Sequence, residues 1–218
     1  MPNEINILLI DDHVIVREGL AVLLNQHGLG RIESAGSAEE AMTAIQRRPP
    51  EVVVLDISLG HQSGLDLLKN IHLAYPSIRV VVLSMHEEAL YAERCLRAGA
   101  MGYIMKSVGH QLIIQCIRQV MEGKTFVSEA VRDRMWQQAV NRPKDVGAPP
   151  EERLTDRELE VYRLIGEGLS TQQIAGSLKV SAKTIQTYRN FIKEKLAIEN
   201  ATELVHRASL WAKGRHPA

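Results

Sequence analysis

Along residues 1–124 the spacing of apolar positions switches repeatedly between two periods. Short runs rich in β-branched residues fall at 5–10, 31–35, 52–55, 80–83 and 101–104. Between them, stretches at 14–26, 38–47, 64–75, 88–98 and 108–122 carry apolar residues at helical spacing. Repeated strand–helix alternation predicts a parallel sheet with helices on both faces. The first, third and fourth runs are almost wholly apolar, as strands covered on both sides must be. The expected fold class is therefore α/β, a doubly wound five-stranded parallel sheet, followed by an all-α domain.

The all-α part follows from the rest of the chain. Residues 128–141 read as one more helix, and the stretch Asn141-Arg-Pro-Lys-Asp-Val-Gly-Ala-Pro-Pro150 reads as a linker, with prolines and a glycine but no apolar period. Beyond it, helical spacing is predicted at about 156–166, 171–177, 182–196 and 201–212. Gly166 and Gly168 suit a helix C-cap, and Ser170 and Ser181 suit N-caps. The expected domains are 1–124, a linker helix and flexible linker at 125–150, and a helical domain at 151–218.

A doubly wound sheet gathers its chemistry at the carboxyl ends of its strands, near the switch in strand order. Asp11 and Asp12 follow the first strand, Asp56 closes the third, Ser84 closes the fourth and Lys106 lies just past the fifth. The fold places all five in one cleft. Three carboxylates so close repel one another and stay ionised comfortably only around a cation. Their hard oxygen donors suit Mg²⁺. Cation and Lys106 together would neutralise an incoming phosphoryl group, with Asp56 as nucleophile forming an acyl phosphate.

The segments Ile7-Leu-Leu-Ile-Asp-Asp-His13, Val53-Val-Leu-Asp-Ile57, Ser63-Gly-Leu-Asp-Leu-Leu68, Val82-Leu-Ser84 and Ala98-Gly-Ala-Met-Gly-Tyr-Ile-Met-Lys106 resemble the receiver domain of two-component response regulators. The resemblance spans residues 5–122 and implies a flavodoxin-like fold and a sensor histidine kinase that phosphorylates Asp56. It further implies that Asp12, Asp56 and the Ser58 carbonyl ligate Mg²⁺, with Asp11 acting partly through water. Ser84 and Tyr103 match the family's switch pair: Ser84 would swing to the new phosphoryl oxygen, and Tyr103 would turn inward behind it. Two positions depart from the common pattern. Gly60 stands where many receivers have proline, which predicts a looser 58–63 loop. Ser107 stands where many have proline after the lysine, which argues against a cis peptide there. His86 lies where the family tunes acyl-phosphate lifetime; His13 reads as structural.

In the C-terminal part, Leu154-Thr-Asp-Arg-Glu-Leu-Glu-Val161, Ile165-Gly-Glu-Gly-Leu-Ser-Thr-Gln-Gln-Ile-Ala175 and Val180-Ser-Ala-Lys-Thr-Ile-Gln-Thr-Tyr-Arg-Asn-Phe-Ile-Lys-Glu-Lys-Leu196 give two short helices meeting at a turn. The second carries Lys183, Arg189, Lys193 and Lys195 against Glu194, the geometry of a major-groove reader. Ile185, Ile192, Leu196 and, in part, Phe191 would face the core. The stretch resembles the LuxR-type four-helix DNA-binding domain of the NarL–FixJ class, through Thr155, Glu158, Gly168, Leu169, Ser170, Ile174, Ala175, Ser181, Thr184, Lys195 and Leu196. That resemblance aims Gln186, Thr187 and Asn190 at base edges. It gives Lys183, Thr184, Tyr188, Arg189, Lys193 and Lys195 to phosphates of double-stranded DNA. The last helix resembles the family's dimerising element, yet its Leu204, Ala208 and Trp211 face would equally well pack on the domain itself.

Composition narrows the partners. The net charge of +0 hides a small acidic excess in residues 1–124 and a small basic one in 151–218, signs that suit a cation site and a polyanion site. No apolar run approaches the roughly 20 residues of a membrane span, and the N-terminus lacks a signal-peptide pattern, so a cytoplasmic protein is expected. Cys95 and Cys116 lack metal-ligand spacing and read as buried thiols. The expectation is a phosphorylation-switched transcription regulator, not a turnover enzyme, homodimeric when phosphorylated or on DNA. Two other classes compete with it. A small-molecule-gated LuxR-type regulator needs an N-terminal ligand pocket. A haloacid-dehalogenase-like phosphatase needs its nucleophile after the first strand.

Overall fold

A computed structural model describes residues 5–59, 62–85, 88–107, 110–141, 150–178 and 180–212. Gly60, His86 and most of the predicted linker lie outside the described residues. The chain divides into two compact units, Met1–Arg142 and Pro143–Ala218.

In the first unit, strands β1 (Asn6–Ile10), β2 (Arg31–Ala35), β3 (Val52–Leu55), β4 (Arg79–Ser84) and β5 (Ala100–Met105) form one parallel sheet. Their spatial order is β2-β1-β3-β4-β5, so the strand order reverses between β1 and β3. Helices α1 (Val14–Gln26), α2 (Ala38–Arg47), α3 (Gly64–Ala74), α4 (Glu88–Arg97) and α5 (His110–Met121) connect or follow the strands. The sheet forms because its central strands have nowhere polar to go: every residue of β3 is buried, at most 2% exposed. Burying each such side chain is worth roughly 1.5–3 kcal/mol. One face rests on Ile113, Ile114, Ile117 and Val120 of α5 and Leu24 of α1. Val14, Ile15 and Val22 of α1 are exposed, so that helix's apolar band is wider than its buried stripe.

Beyond β3, Ser58–Leu59 pairs antiparallel with Gln62–Ser63. The loop expected to be loose thus carries a small ladder at both ends. Gly64 opens α3, and a Cβ there would lie 2.5 Å from the Ile57 Cα and 2.6 Å from the Asp56 carbonyl oxygen. Only glycine lets α3 approach the backbone that carries Asp56.

Residues 125–141 belong to this unit, although the sequence places them in the linker. Phe126 bridges β5, its N–H donating to the Met101 carbonyl (2.8 Å) and its carbonyl accepting from Tyr103 N–H (2.9 Å). The Ser128 N–H donates to Glu88 Oε1 (2.7 Å), and α6 (Glu129–Asn141) packs against α4. Between α4, α5 and α6 lies an open cavity of about 560 Å³, lined by Leu96, Gln115, Phe126, Met135 and Trp136 among others. No acidic strand-end residue lines it.

The second unit holds a 3₁₀ turn (Pro150–Arg153) and helices α7 (Asp156–Gly166), α8 (Thr171–Ser177), α9 (Ala182–Lys195) and α10 (Ala201–Ala212). Thr155 and Glu158 close a capping box on α7, and Ser170 and Gln173 close one on α8. Gly168, at φ 87°, supplies the left-handed residue after α7. Gly166 serves packing instead. A Cβ there would lie 2.3 Å from the Ala208 carbonyl oxygen, so the glycine lets α10 lie close on α7. Leu204, Ala208 and Trp211 are buried, with the Trp211 ring 5.6 Å from that of Tyr162. That face of α10 is core.

Candidate functional site: an acidic strand-end cleft and an exposed recognition helix

Backbone bonds that run past the strand ends set the first site. Asp56 N–H donates to the Ile10 carbonyl (2.8 Å), Asp11 N–H to that of Ala35 (3.3 Å) and Lys106 N–H to that of Ser84 (2.7 Å). Each bond locks a cleft residue to its neighbouring strand. The Arg17 guanidinium also donates to the Asp11 carbonyl.

The side chains then converge. Lys106 Nζ lies 2.5 Å from Asp11 Oδ2 and 2.7 Å from Asp56 Oδ2. Asp56 Oδ1 accepts from Ser58 N–H (3.1 Å). Asp11 Oδ1 accepts from His13 N–H (2.8 Å). The ligand atoms of Asp11, Asp12, His13 and Asp56 all lie within 4.8 Å of one another. The sequence pointed to the carboxylates and the lysine; His13, read there as structural, lies beside the Asp pair.

Burial dominates the electrostatics. Asp56 is 3% exposed, and its desolvation holds the carboxyl above the ordinary carboxylate value. Lys106 and the Ser58 N–H pull the other way without winning, and Asp11 adds repulsion. For Lys106, burial works against the charge, but Asp56 and Asp11 outweigh it and raise the amine above its ordinary value. Two of the three carboxylates, Asp11 and Asp56, share one ammonium, and the Asp12 Oδ1 atom is buried without an aligned hydrogen bond. This donor set, oxygen-rich and short of positive charge, fits a divalent cation.

Ser84 is fully buried and Tyr103 is 1% exposed. The two hydroxyls are hydrogen-bonded, and burial raises the phenol well above its ordinary value. The Tyr103 ring lies inside the fold, near Glu88, Tyr91 and Cys95 of α4. Ser107 follows Lys106 through a trans peptide. Both cysteines are buried and outside any disulfide, with burial pushing the Cys116 thiol up to about 12.

The second site is α9. Ser181 caps it, its hydroxyl accepting from Thr184 N–H (3.0 Å). Ile185 and Ile192 are buried, which turns Lys183, Gln186, Thr187 and Asn190 to solvent along one exposed stripe. The Thr187 hydroxyl donates to the Lys183 carbonyl (3.1 Å). Thr184, Tyr188, Arg189 and Lys193 flank the stripe, half-buried. Arg189 has its charged form disfavoured by burial. Phe191, expected to face the core only in part, is 46% exposed. One residue behaves otherwise than expected. Lys195 is bound by Glu158, at 2.6 and 2.8 Å, and is not a free cation for a phosphate.

The chain thus joins a unit with an acidic cleft at its strand-order reversal to a unit with a helix-turn-helix. Residues 7–118 match the response regulator receiver domain, and residues 152–208 match the bacterial regulatory proteins of the luxR family. The chain is 34% identical over 205 residues to the transcriptional activator protein ExaE of Pseudomonas putida, covering 93% of this chain and 94% of that one. It resembles the crystal structure of a LuxR-family two-component response regulator from Aurantimonas sp. SI85-9A1, with TM-score 0.58, 28% identity, and coverage of 64% of this chain and all of that one. It also resembles a structure of two RcsB dimers bound to two parallel DNAs, with TM-score 0.57, 25% identity, and coverage of 95% and 98%. The chain belongs to the two-component response regulators of the NarL–FixJ class, a receiver domain joined to a LuxR-type helix-turn-helix. It is a transcription regulator, which sets aside the phosphatase alternative.

Proposed function

We propose that Asp56 accepts a phosphoryl group from the phosphohistidine of a sensor histidine kinase. One carboxylate oxygen forms the new bond to phosphorus, the P–N bond to the kinase imidazole breaks, and that imidazole takes up a proton. The observation that carries this reading is the buried Asp56 carboxylate held 2.7 Å from Lys106 Nζ at the strand-order reversal. Lys106 is placed to follow a phosphoryl oxygen as the charge moves off the carboxylate.

Asp11, Asp12, Asp56 and the Ser58 carbonyl would hold Mg²⁺, whose charge, when bound, offsets both the carboxylates and the incoming oxygens. Ser84 would leave Tyr103 for a phosphoryl oxygen, and the Tyr103 ring, already inside the fold, would close up behind it. The chemistry stays on the chain's own aspartate, so the protein signals and does not turn over a substrate.

In the second unit, Gln186, Thr187 and Asn190 would read base edges in the major groove. Lys183, Thr184, Tyr188, Arg189 and Lys193 would hold phosphates. RcsB is found as dimers on DNA, and a homodimer on a two-fold operator in the cytoplasm is the arrangement proposed here. Incubation with acetyl phosphate and Mg²⁺ should add one phosphoryl group to Asp56, and none to Asp56→Ala. A phosphoryl group mapped by mass spectrometry to another residue refutes the assignment.

A further inference from the structure

Away from the acidic cleft, α6 packs on α4 and leaves a cavity beside it. Among the described side chains of α6, Val131 is the one that is buried. Trp136, the largest apolar side chain of the helix, is 71% exposed and lines the cavity that α6 encloses with α4 and α5. Tryptophan is seldom left so open where packing alone decides its place. The cavity measures about 560 Å³, within the roughly 300–1,000 Å³ of small-molecule pockets. Leu96 of α4, Phe126 and Met135 give it apolar walls. Phe126 is held in place, since its N–H and its carbonyl are both bonded to β5. One charge stands among these walls. Arg132 lies one helical turn before Trp136, so the two share a face of α6, and both line the cavity. The Arg132 guanidinium has no carboxylate partner among the described residues, and no described acidic side chain lines the cavity. Gln115 and Gln119 add amide groups from α5.

We infer that this cavity is a binding site for a small aromatic anion, its rings against Trp136, Phe126 and Leu96 and its carboxylate or sulfonate on Arg132. Aromatic walls take flat apolar bodies. A guanidinium offers a planar fork of donors that matches a carboxylate or sulfonate. A neutral apolar occupant would leave that fork unused, a cation would meet repulsion, and a polyanion would find one positive charge among apolar walls. The inference is independent of the phosphoryl chemistry at Asp56. An occupant that touches α4, α5 and α6 together binds only while α6 rests on α4, so it stabilises that packing.

The test titrates the full chain with anilinonaphthalene sulfonate, an aromatic sulfonate whose fluorescence rises in apolar surroundings. One equivalent should bind, and the amides of α6 should exchange hydrogen more slowly in its presence. Gln115→Trp fills the cavity from an exposed position of α5 and should weaken binding at least about tenfold. Arg132→Gln should weaken it at least about fivefold, yet leave phenylnaphthylamine, which has the same rings without the sulfonate, within about twofold. If Gln115→Trp binds the probe as the native chain does, or α6 exchanges at the same rate with and without it, the probe is an adventitious additive only and the site is wrong. If Arg132→Gln loses both probes equally, or neither, the preference for an anion is wrong.

Discussion

The Lys195 ammonium lies 2.6 Å from Glu158 Oε2 and 2.8 Å from Oε1, tying the last turn of α9 to the first turn of α7. Glu158 is 3% exposed and also accepts from Thr155 N–H (2.7 Å), so one carboxylate caps one helix and anchors another. Removing the lysine strands a buried charge. Lys195→Met should cost roughly 2 kcal/mol in a urea melt, less than a fully buried pair because the lysine is partly exposed. The salt dependence of DNA binding should scarcely change.

Lys193 and Asn190 should separate affinity from readout. Lys193→Ala should weaken binding to every sequence and reduce the slope of log K against log salt by about one. Asn190→Ala should keep that slope and relax discrimination at one base pair, worth about 1–3 kcal/mol. Equal behaviour of the two variants in salt titrations on specific and scrambled duplexes would show the sorting to be wrong.

The raised Asp56 carboxyl has a stability consequence whose sign is fixed. The folded state holds its proton at pH values where the unfolded chain has lost it, so stability falls as pH rises from the ordinary carboxylate value through the raised one. The cost persists at neutral pH. Asp56→Asn should therefore be more stable than the native chain at pH 7 without divalent cations, by roughly 1 kcal/mol or more. The gap should narrow on acidification towards pH 4 and on adding Mg²⁺, which thermal melts at several pH values will show.

Ala197 follows α9 with φ 51°, a left-handed conformation that a side chain resists. Its N–H donates to the Glu194 carbonyl (3.2 Å), and that of Ile198 donates to the Lys193 carbonyl (2.8 Å), so the turn is fixed. Ala197→Gly should raise stability by several tenths of a kcal/mol, the relief being partly offset by the freer unfolded chain. Equilibrium denaturation will measure it, with DNA affinity unchanged.

The doubly wound sheet and the meeting of Asp11, Asp12, Asp56 and Lys106 were legible because each of these residues sits at or just past a strand's carboxyl end, and topology alone brings those ends together. Features that depend on packing between distant segments were not legible. Glu158 and Lys195 lie 37 residues apart, and nothing local marks them as partners. Tyr103 lies in a strand covered on both faces, so alternation does not tell inside from outside. The α10 face could have met a partner or its own core until the close approach at Gly166 and the Tyr162–Trp211 contact showed how α7 receives it.

The Phe126 bridge has a practical side. β5 is six residues long and stands at the margin of the sheet, where unpaired backbone groups invite a strand from another molecule. Phe126 occupies the Met101 carbonyl and the Tyr103 N–H, acting as an edge guard against self-association. A fragment ended at residue 124 loses that guard and bares a template for aggregation, whereas one carried through α6 keeps it.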